Sequence, residues 1–309
     1  MALLDGKVAI VTGAGAGIGR AHALALAAHG ARVVVDDLGV TKAGAVAEGK
    51  ARADGVVAEI RKAGGSAVAC YEDVSDFQAA ARIIQAAMDS FGRLDILVNN
   101  AGIFRHGFID EMTEDDFDQV IGTHLKGTFN TCRHAFPIMK AQRYGRIINT
   151  VSNQWPAPKV RSVYSAAKGG IASLTWDLAL EGRAYGITAN AVSPFADTSE
   201  PGSERTSDRD RRLIEMGVLG ELRAAATEER AGPEYVSPLV VFLASDYAAE
   251  VNGRIFRAGA GKIGLYCHPV EVRQIFRDYK SQGPWPIEEL IELLPNGLLA
   301  GENLAPHLL

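Results

Sequence analysis

The sequence predicts an α/β protein built on one doubly wound parallel sheet, with helices on both faces and a C-terminal extension. Three observations carry that expectation. Short β-branched apolar runs alternate with helical stretches of ten or more residues, the pattern of crossover units on a parallel sheet. A glycine-rich turn lies directly between the first such run and the first helix. No linker or internal repeat interrupts the alternation as far as Gly261, so the expected division is one domain over 1–261 and an extension over 262–309.

Residues 7–12 (KVAIVT) form a strand-like run ending in glycines, and 20–29 (RAHALALAAH) an Ala/Leu-rich helix that Gly30 terminates. A second strand covers 31–36 (ARVVVD), followed by a helix at 52–63, a strand at 66–70, a helix at 76–91 and a strand at 94–98. A helix over 114–141, with a break expected near Pro137, leads to the strand 145–150. Then come a helix at 162–185, a strand at 187–191, a helix near 233–245 and a strand at 254–258. In the tail, 268–279 and 286–294 read as helices. Segment 38–53 is long and Gly/Ala-rich for a turn, and the charge-dense 196–212 reads as either a lid or a solvated loop.

Composition narrows the function classes. Of 309 residues, 47% are hydrophobic, enough for a sizeable core, which excludes disorder and disulfide-stapled miniatures. Thirty-two Lys plus Arg against 37 Asp plus Glu leave a net charge of −5, unlike the basic face of a nucleic-acid binder. Cys70, Cys132 and Cys267 lie far apart, with no CxxC and no histidine cluster. That spacing argues against a zinc site or a disulfide framework, and for a reducing compartment. The opening MALLDGKVAIVTG lacks a basic n-region and a cleavage site, and no apolar run approaches the ~18 residues of a membrane span. The expectation is a soluble, cytoplasmic protein acting on a small molecule, with no metal, nucleic-acid or membrane partner.

The turn Thr12-Gly13-Ala14-Gly15-Ala16-Gly17-Ile18-Gly19 leads straight into a helix. Glycines let the backbone approach a pyrophosphate, and the helix N-terminus supplies free N–H groups and a positive dipole end. About 20 residues on, Asp36-Asp37 close the second strand, where one carboxylate can bind adenosine ribose hydroxyls and repel a 2′-phosphate. Asp37 is the favoured one, and NAD the favoured dinucleotide over NADP. Asp73-Val74 and Asn99-Asn100-Ala101-Gly102 follow the third and fourth strands, at the strand ends where ligands bind in open α/β sheets.

Tyr164 and Lys168 are four residues apart at the start of a helix, in VYSAAKGG, and so share a face. A phenol near pKa 10 is a poor base at neutral pH. A neighbouring ammonium and a nicotinamide cation would stabilise its phenolate, by ~3–4 kcal/mol for a shift of ~2–3 units. Tyr164 would then exchange a proton with an alcohol or ketone. Ser152, twelve residues earlier after RIINTV, would hold the substrate oxygen.

With TGAGAGIG, NNAG, a serine and YSAAK in this order, the chain resembles the short-chain dehydrogenase/reductase superfamily over about residues 5–261. The resemblance implies a Rossmann-type fold and hydride transfer between nicotinamide and a carbinol carbon. It implies Tyr164 as acid/base, Lys168 lowering its pKa and binding the nicotinamide ribose, and Ser152 orienting the substrate. Asp73, Val74 and Asn100 would line the adenine and ribose path. A homo-oligomer, dimer or tetramer, is implied as well. VVVDDLG, THLKGTF, PEYVSPLVVFLAS and NGRIFRAGAG are similar to the dehydrogenase unit of peroxisomal multifunctional β-oxidation proteins, which oxidises (3R)-hydroxyacyl-CoA with NAD. Bacterial relatives of that branch include hydroxysteroid dehydrogenases, so a bulky cyclic alcohol is the alternative substrate. A dinucleotide sensor without chemistry is the non-enzyme alternative, but it would be expected to lose Tyr164 or Lys168.

Three departures stand out. His124 replaces an asparagine that in many members anchors a water of the proton relay, as it tends to do in the multifunctional branch, and is itself a candidate catalytic residue of that relay, the alternative being a structural helix histidine. The stretch between Ser152 and Tyr164 is atypical, with Trp155 and two prolines, and Pro194-Phe195 stands where Pro-Gly is usual. Phe104, Phe108, Trp155, Phe195 and Met216 are candidates for an apolar substrate wall. Arg105, Arg161, Arg205, Arg209, Arg211 and Arg212 are candidates for the cations a CoA thioester would need.

Overall fold

β1 (Val8–Thr12) is buried at every position, as a strand covered by helices on both faces must be. The computed structural model describes residues 2–39, 50–105, 107–156, 161–197, 208–215 and 231–299. Among these, one sheet runs in the order β3 (Ser66–Cys70), β2 (Arg32–Asp36), β1, β4 (Ile96–Asn99), β5 (Gly145–Thr150), β6 (Ile187–Pro194), β7 (Ile255–Gly259), β8 (Lys262–Tyr266). Neighbours pair in parallel as far as β7, and β8 returns antiparallel. The strand order reverses between β1 and β4, which opens a crevice at their carboxyl ends.

Alternation along β1 assigns its side chains to two layers. Ala9 and Val11 pack with α1 (Gly17–Ala28), α2 (Ala51–Lys62) and the helix Ser237–Ala244. Val8 and Ile10 pack with α3 (Phe77–Phe91) and the later helices Gly127–Gln142 and Ser162–Gly182. Each large aliphatic side chain so buried contributes about 1.5–3 kcal/mol before conformational entropy is counted. Asp76 caps α3 by accepting the Ala79 N–H at 2.6 Å, and left-handed Gly92 ends it.

The long helix expected at 114–141 is interrupted, but not at Pro137. α4 (Glu114–Ile121), opened by a Thr113/Asp116 capping box, passes through a π-helical turn at Gly122–Lys126 into α5 (Gly127–Gln142). Pro137 lies inside α5. The Arg133 carbonyl that Pro137 cannot bond lies on the exposed face, where water can reach it. α6 (Ser162–Gly182) follows β5, and α7 (Asp208–Glu215) and α8 (Ser237–Ala244) follow β6.

The structure forms two compact units, Met1–Tyr266 and Cys267–Leu309. Strand β8 has no counterpart in the sequence expectation, because KIGLY is short, glycine-containing and largely exposed. In the second unit, the helix expected at 268–279 is absent as far as Asp278, where Pro269, Val270 and Val272 are poor helix formers. There α9 (Tyr279–Gln282) and α10 (Ile287–Leu293) form, and Arg277 joins them to the intervening turn by an ion pair to Glu289 at 2.6 Å. Most of segment 38–53 and of segment 196–212 lies outside the described residues.

His22 on α1 and Ser237 at the start of α8 are both buried, and the imidazole Nδ1 lies 2.9 Å from the Ser237 hydroxyl. Burial pushes the His22 pKa down to about 4. Below its ordinary value the unfolded chain takes up a proton that the folded imidazole refuses until about pH 4. Stability from this group is therefore complete at neutral pH and lost as pH falls through that window, at no more than about 1.4 kcal/mol per pH unit. Urea denaturation of His22→Gln should show a weaker pH dependence over the same window than the wild type.

Candidate active site

The phosphate turn is clamped to the end of β4. Thr12 Oγ1 accepts the backbone N–H groups of Asn100 and Ala101, both at 3.1 Å. Asn100 Nδ2 donates back to the Thr12 carbonyl at 3.0 Å and to that of Gly13 at 3.2 Å. Gly13 adopts φ +62°, and a Cβ at Gly19 would lie 2.1 Å from the Gly13 oxygen, so neither position accepts a side chain. Gly17 opens α1, with Ile18 half-buried behind it. Ala16 offers no capping oxygen and the first turn has no acid, which leaves the N-terminal N–H groups and the dipole to an anionic ligand. The turn therefore fits a pyrophosphate.

Asp37 lies beside this turn. Its Oδ2 accepts the Gly15 N–H and its Oδ1 the Gly39 N–H, both at 2.8 Å. Asp36 turns the other way, is 1% exposed, and accepts the Glu72 N–H at 3.2 Å. Burial raises its pKa to about 7. Asp73 Oδ1 accepts the Ser75 N–H at 2.8 Å, and the Val74 carbonyl accepts from Asn130 Nδ2 at 2.9 Å. Thr12, Val74, Asn99, Ala101, Thr123, Gly127 and Thr128 line the crevice between them.

Ser152, Tyr164 and Lys168 meet where β5 ends and α6 begins. Lys168 is buried, and its Nζ donates to the Thr150 carbonyl at 2.6 Å and lies 5.7 Å from the centre of the Tyr164 ring. Burial lowers the lysine to about 7. Burial likewise raises the Tyr164 phenol, opposed by its hydrogen bond with Ser152 and by the charge of Arg161. The expected depression of the phenol by Lys168 is thus not the dominant effect in the protein by itself. Desolvation disfavours the charged form of both groups.

His124 comes from the π-helical turn and meets Tyr164 edge-on, with ring centres 5.3 Å apart. Its Nε2 is 2.8 Å from the Ile103 carbonyl, while Nδ1 is buried without a partner. Burial and the Lys168 charge push its pKa down to about 3, which keeps the imidazole neutral, and Nε2 also lies 3.2 Å from the Ile103 backbone nitrogen. Gly102 abuts the same ring, and Phe104 stacks on Tyr164 at 5.2 Å.

The proposed wall and cation set are partly redistributed. Phe104 is at the site, and buried Phe108 lies under the Arg212 guanidinium at 4.3 Å. Trp155 instead packs against Trp176 and Tyr266, at 6.1 and 6.0 Å between ring centres, drawn into an apolar cluster with α6 and β8. The Phe195 ring lies beneath Arg257 at 4.9 Å. Arg105 pairs with Asp116 at 3.5 Å and Arg212 with Glu111 at 2.7 Å. Arg205, Met216 and the Arg209 side chain lie outside the described residues. Asn130 was not singled out as a site residue from the sequence, and Thr12 only as the start of the phosphate turn. Thr12 before the glycines and NNAG after the fourth strand, at two strand ends, were the available signal for their hydrogen bonds. Among the described residues no three His, Cys, Asp or Glu side chains group to hold a metal ion, and no helix is long and apolar enough to cross a membrane.

The family model of short chain dehydrogenases matches residues 7–209. This chain belongs to the short-chain dehydrogenase family. It is 43% identical over 261 residues to peroxisomal multifunctional enzyme type 2 of Mus musculus, covering 84% of this chain and 32% of that protein. It is 36% identical over 290 residues to the hydroxyacyl-CoA dehydrogenase ChsB1 of Mycobacterium tuberculosis, covering 91% and 86%. The crystal structure of a short chain dehydrogenase from Mycobacterium avium superposes with a TM-score of 0.80 at 42% identity, covering 96% of each chain. The chain spans about a third of the length of the multifunctional relatives it matches. As a short-chain dehydrogenase it is an oxidoreductase acting on CH–OH donors.

A methyl group at Gly102 would lie 2.4 Å from His124 Cε1, against a ring pinned through Ile103. Gly102→Ala should cost about 1–3 kcal/mol of stability in urea denaturation. The double variant Gly102→Ala/His124→Ala should cost less than the sum of the two single changes.

Proposed function

We propose that this dehydrogenase uses NAD to interconvert a 3-hydroxyacyl thioester and the corresponding 3-ketoacyl thioester. The observation that carries the reading is the meeting of buried Ser152 and Lys168 with half-buried Tyr164 at one end of the crevice, with Asp37 beside the phosphate turn. The dinucleotide, when bound, supplies or accepts the hydride. Gly13, Gly17, Ile18 and Gly19 present the turn to its pyrophosphate, Asn100 keeps that turn against β4, and Gly102 continues the same segment toward the nicotinamide end. Asp37 binds the adenosine ribose hydroxyls, with Asp73 and Val74 beside the adenine. Ser152 Oγ hydrogen-bonds the substrate oxygen, and Tyr164 takes the alcohol proton in oxidation or returns it in reduction. Lys168 binds the nicotinamide ribose, and its ammonium stabilises the phenolate. Neutral His124 positions Ile103, and through it the Phe104 wall on Tyr164. The name of the hydroxyacyl-CoA dehydrogenase relative supports the thioester class.

Formation of NADH from a (3R)-hydroxyacyl-CoA series, set beside a hydroxysteroid panel, tests the substrate. Turnover that rises with acyl length and is absent with steroids is the expected result, and steroid turnover alone would replace the thioester reading. Tyr164→Phe should lower kcat by about 10²–10⁴-fold while NAD still binds in calorimetry. Lost NAD affinity with turnover preserved would contradict the assigned role.

A further inference from the structure

Ser152 opens a tight turn that Trp155 closes. The Trp155 N–H donates to the Ser152 carbonyl at 3.4 Å, and within the turn the Gln154 N–H donates to Ser152 Oγ at 3.3 Å. Both bonds are long, so the backbone by itself holds the turn loosely. The Trp155 side chain supplies the missing anchor. Its ring is half-buried, and its Nε1 has no hydrogen-bond partner among the described residues, so packing alone sets its place. It meets Trp176 of α6 edge-on at 6.1 Å and Tyr266 of β8 at 6.0 Å, the spacing that aromatic pairs favour. β8 is exposed at every position except Tyr266, which pairs with buried Ile255 of β7. Both belong to the apolar cluster that contains Val151, the residue before Ser152. The inward contact of this edge strand therefore ends three residues from the site serine.

We propose that Tyr266, acting through Trp155, is a positioning residue for Ser152. The proposal rests on the role given to Ser152 above and not on which alcohol is oxidised. Trp155 has one aromatic neighbour on the helix that bears Tyr164 and Lys168, and one on the strand that returns from β7. With both in place the turn presents Ser152 Oγ to Tyr164. With Tyr266 gone the indole loses one of its two contacts, the turn opens, and the serine hydroxyl drifts from the phenol.

Hydrogen exchange read by mass spectrometry tests the positioning without substrate. Tyr266→Ala should speed exchange about threefold or more in a peptide spanning 152–156, while peptides from β1 and α1 stay unchanged. Tyr266→Phe, which keeps the ring, should exchange as the wild type does. Unchanged exchange at 152–156 in Tyr266→Ala overturns the proposal. If that variant exchanges faster throughout, Tyr266→Leu, which keeps apolar volume without the ring, decides by the same criterion. Turnover is then measured with whichever of a (3R)-hydroxyacyl-CoA or a hydroxysteroid the wild type oxidises. Tyr266→Ala should lower kcat by about tenfold and leave KM for NAD within about twofold, and Tyr266→Phe should restore kcat. In a Ser152→Ala background the same change should cost less than about twofold, because no serine is left to position. Equal losses in both backgrounds overturn the proposal while the function of the site stands. Where Ser152→Ala is too slow to compare, the pH profile decides. The bond from Ser152 holds the Tyr164 phenol down, with Lys168, His124 and Arg161 as the other ionisable groups around it. Loosening it should move the acidic limb of oxidation to higher pH, and an unmoved limb overturns the proposal. A wild type that oxidises neither alcohol would overturn the proposed function, and exchange at 152–156 would still decide the role of Tyr266.

Discussion

The hydrogen bonds between Thr12 and Asn100 are the constraint on which the rest of the site depends. At the point where β1 and β4 part, their following segments leave toward opposite faces of the sheet. Backbone groups at that fork lose their ladder partners and must be satisfied some other way. Thr12 Oγ1 accepts two of the freed N–H groups, and Asn100 Nδ2 donates to two of the freed carbonyls. The same four bonds shape the phosphate turn on one side and start the Gly102–Phe104 segment toward Tyr164 on the other.

Behind this fork a buried chain of amides and hydroxyls ties together the elements that carry the chemistry. Asn99 of β4 donates to Asn149 of β5 at 2.9 Å and accepts from Thr131 of α5 at 2.6 Å. Asn149 in turn donates to Thr175 of α6 at 2.9 Å. A fully satisfied polar network in a low-dielectric core has few alternative arrangements. It therefore fixes α6, with Tyr164 and Lys168, relative to the end of β5 that bears Ser152. The cost falls on the ionisable groups, because the burial that orders the site also raises Tyr164 and lowers Lys168 and His124.

The sheet was legible because its signals are local. KVAIVT, ARVVVD and RIINT are apolar runs of strand length, and β1, β2 and β5 lie within them to about one residue. The phosphate turn was legible for the same reason, since spacing between glycines expresses a backbone requirement directly. The break in the long helix was misplaced because proline is a visible punctuation mark, while the π-helical turn at Gly122–Lys126 has none. That turn exists to bring His124 under Ile103, a contact between residues 21 apart. The packing of Trp155 on Trp176 and Tyr266 was not legible, because an aromatic between a serine and a tyrosine of the site carries no sign of which way it packs.

By itself the sequence determined the order of strands β1 to β7, the turn that fits a pyrophosphate, and the placing of Tyr164 and Lys168 on one helical face. Periodicity, glycine spacing and a four-residue separation follow from backbone geometry alone, whatever surrounds them. Tertiary structure decided the rest. It selected Asp37 over Asp36 as the acid beside the turn, held His124 neutral and turned Trp155 toward β8. Each of these depends on which distant residues share a desolvated space, and burial changes charge, partner and orientation in ways no local pattern encodes.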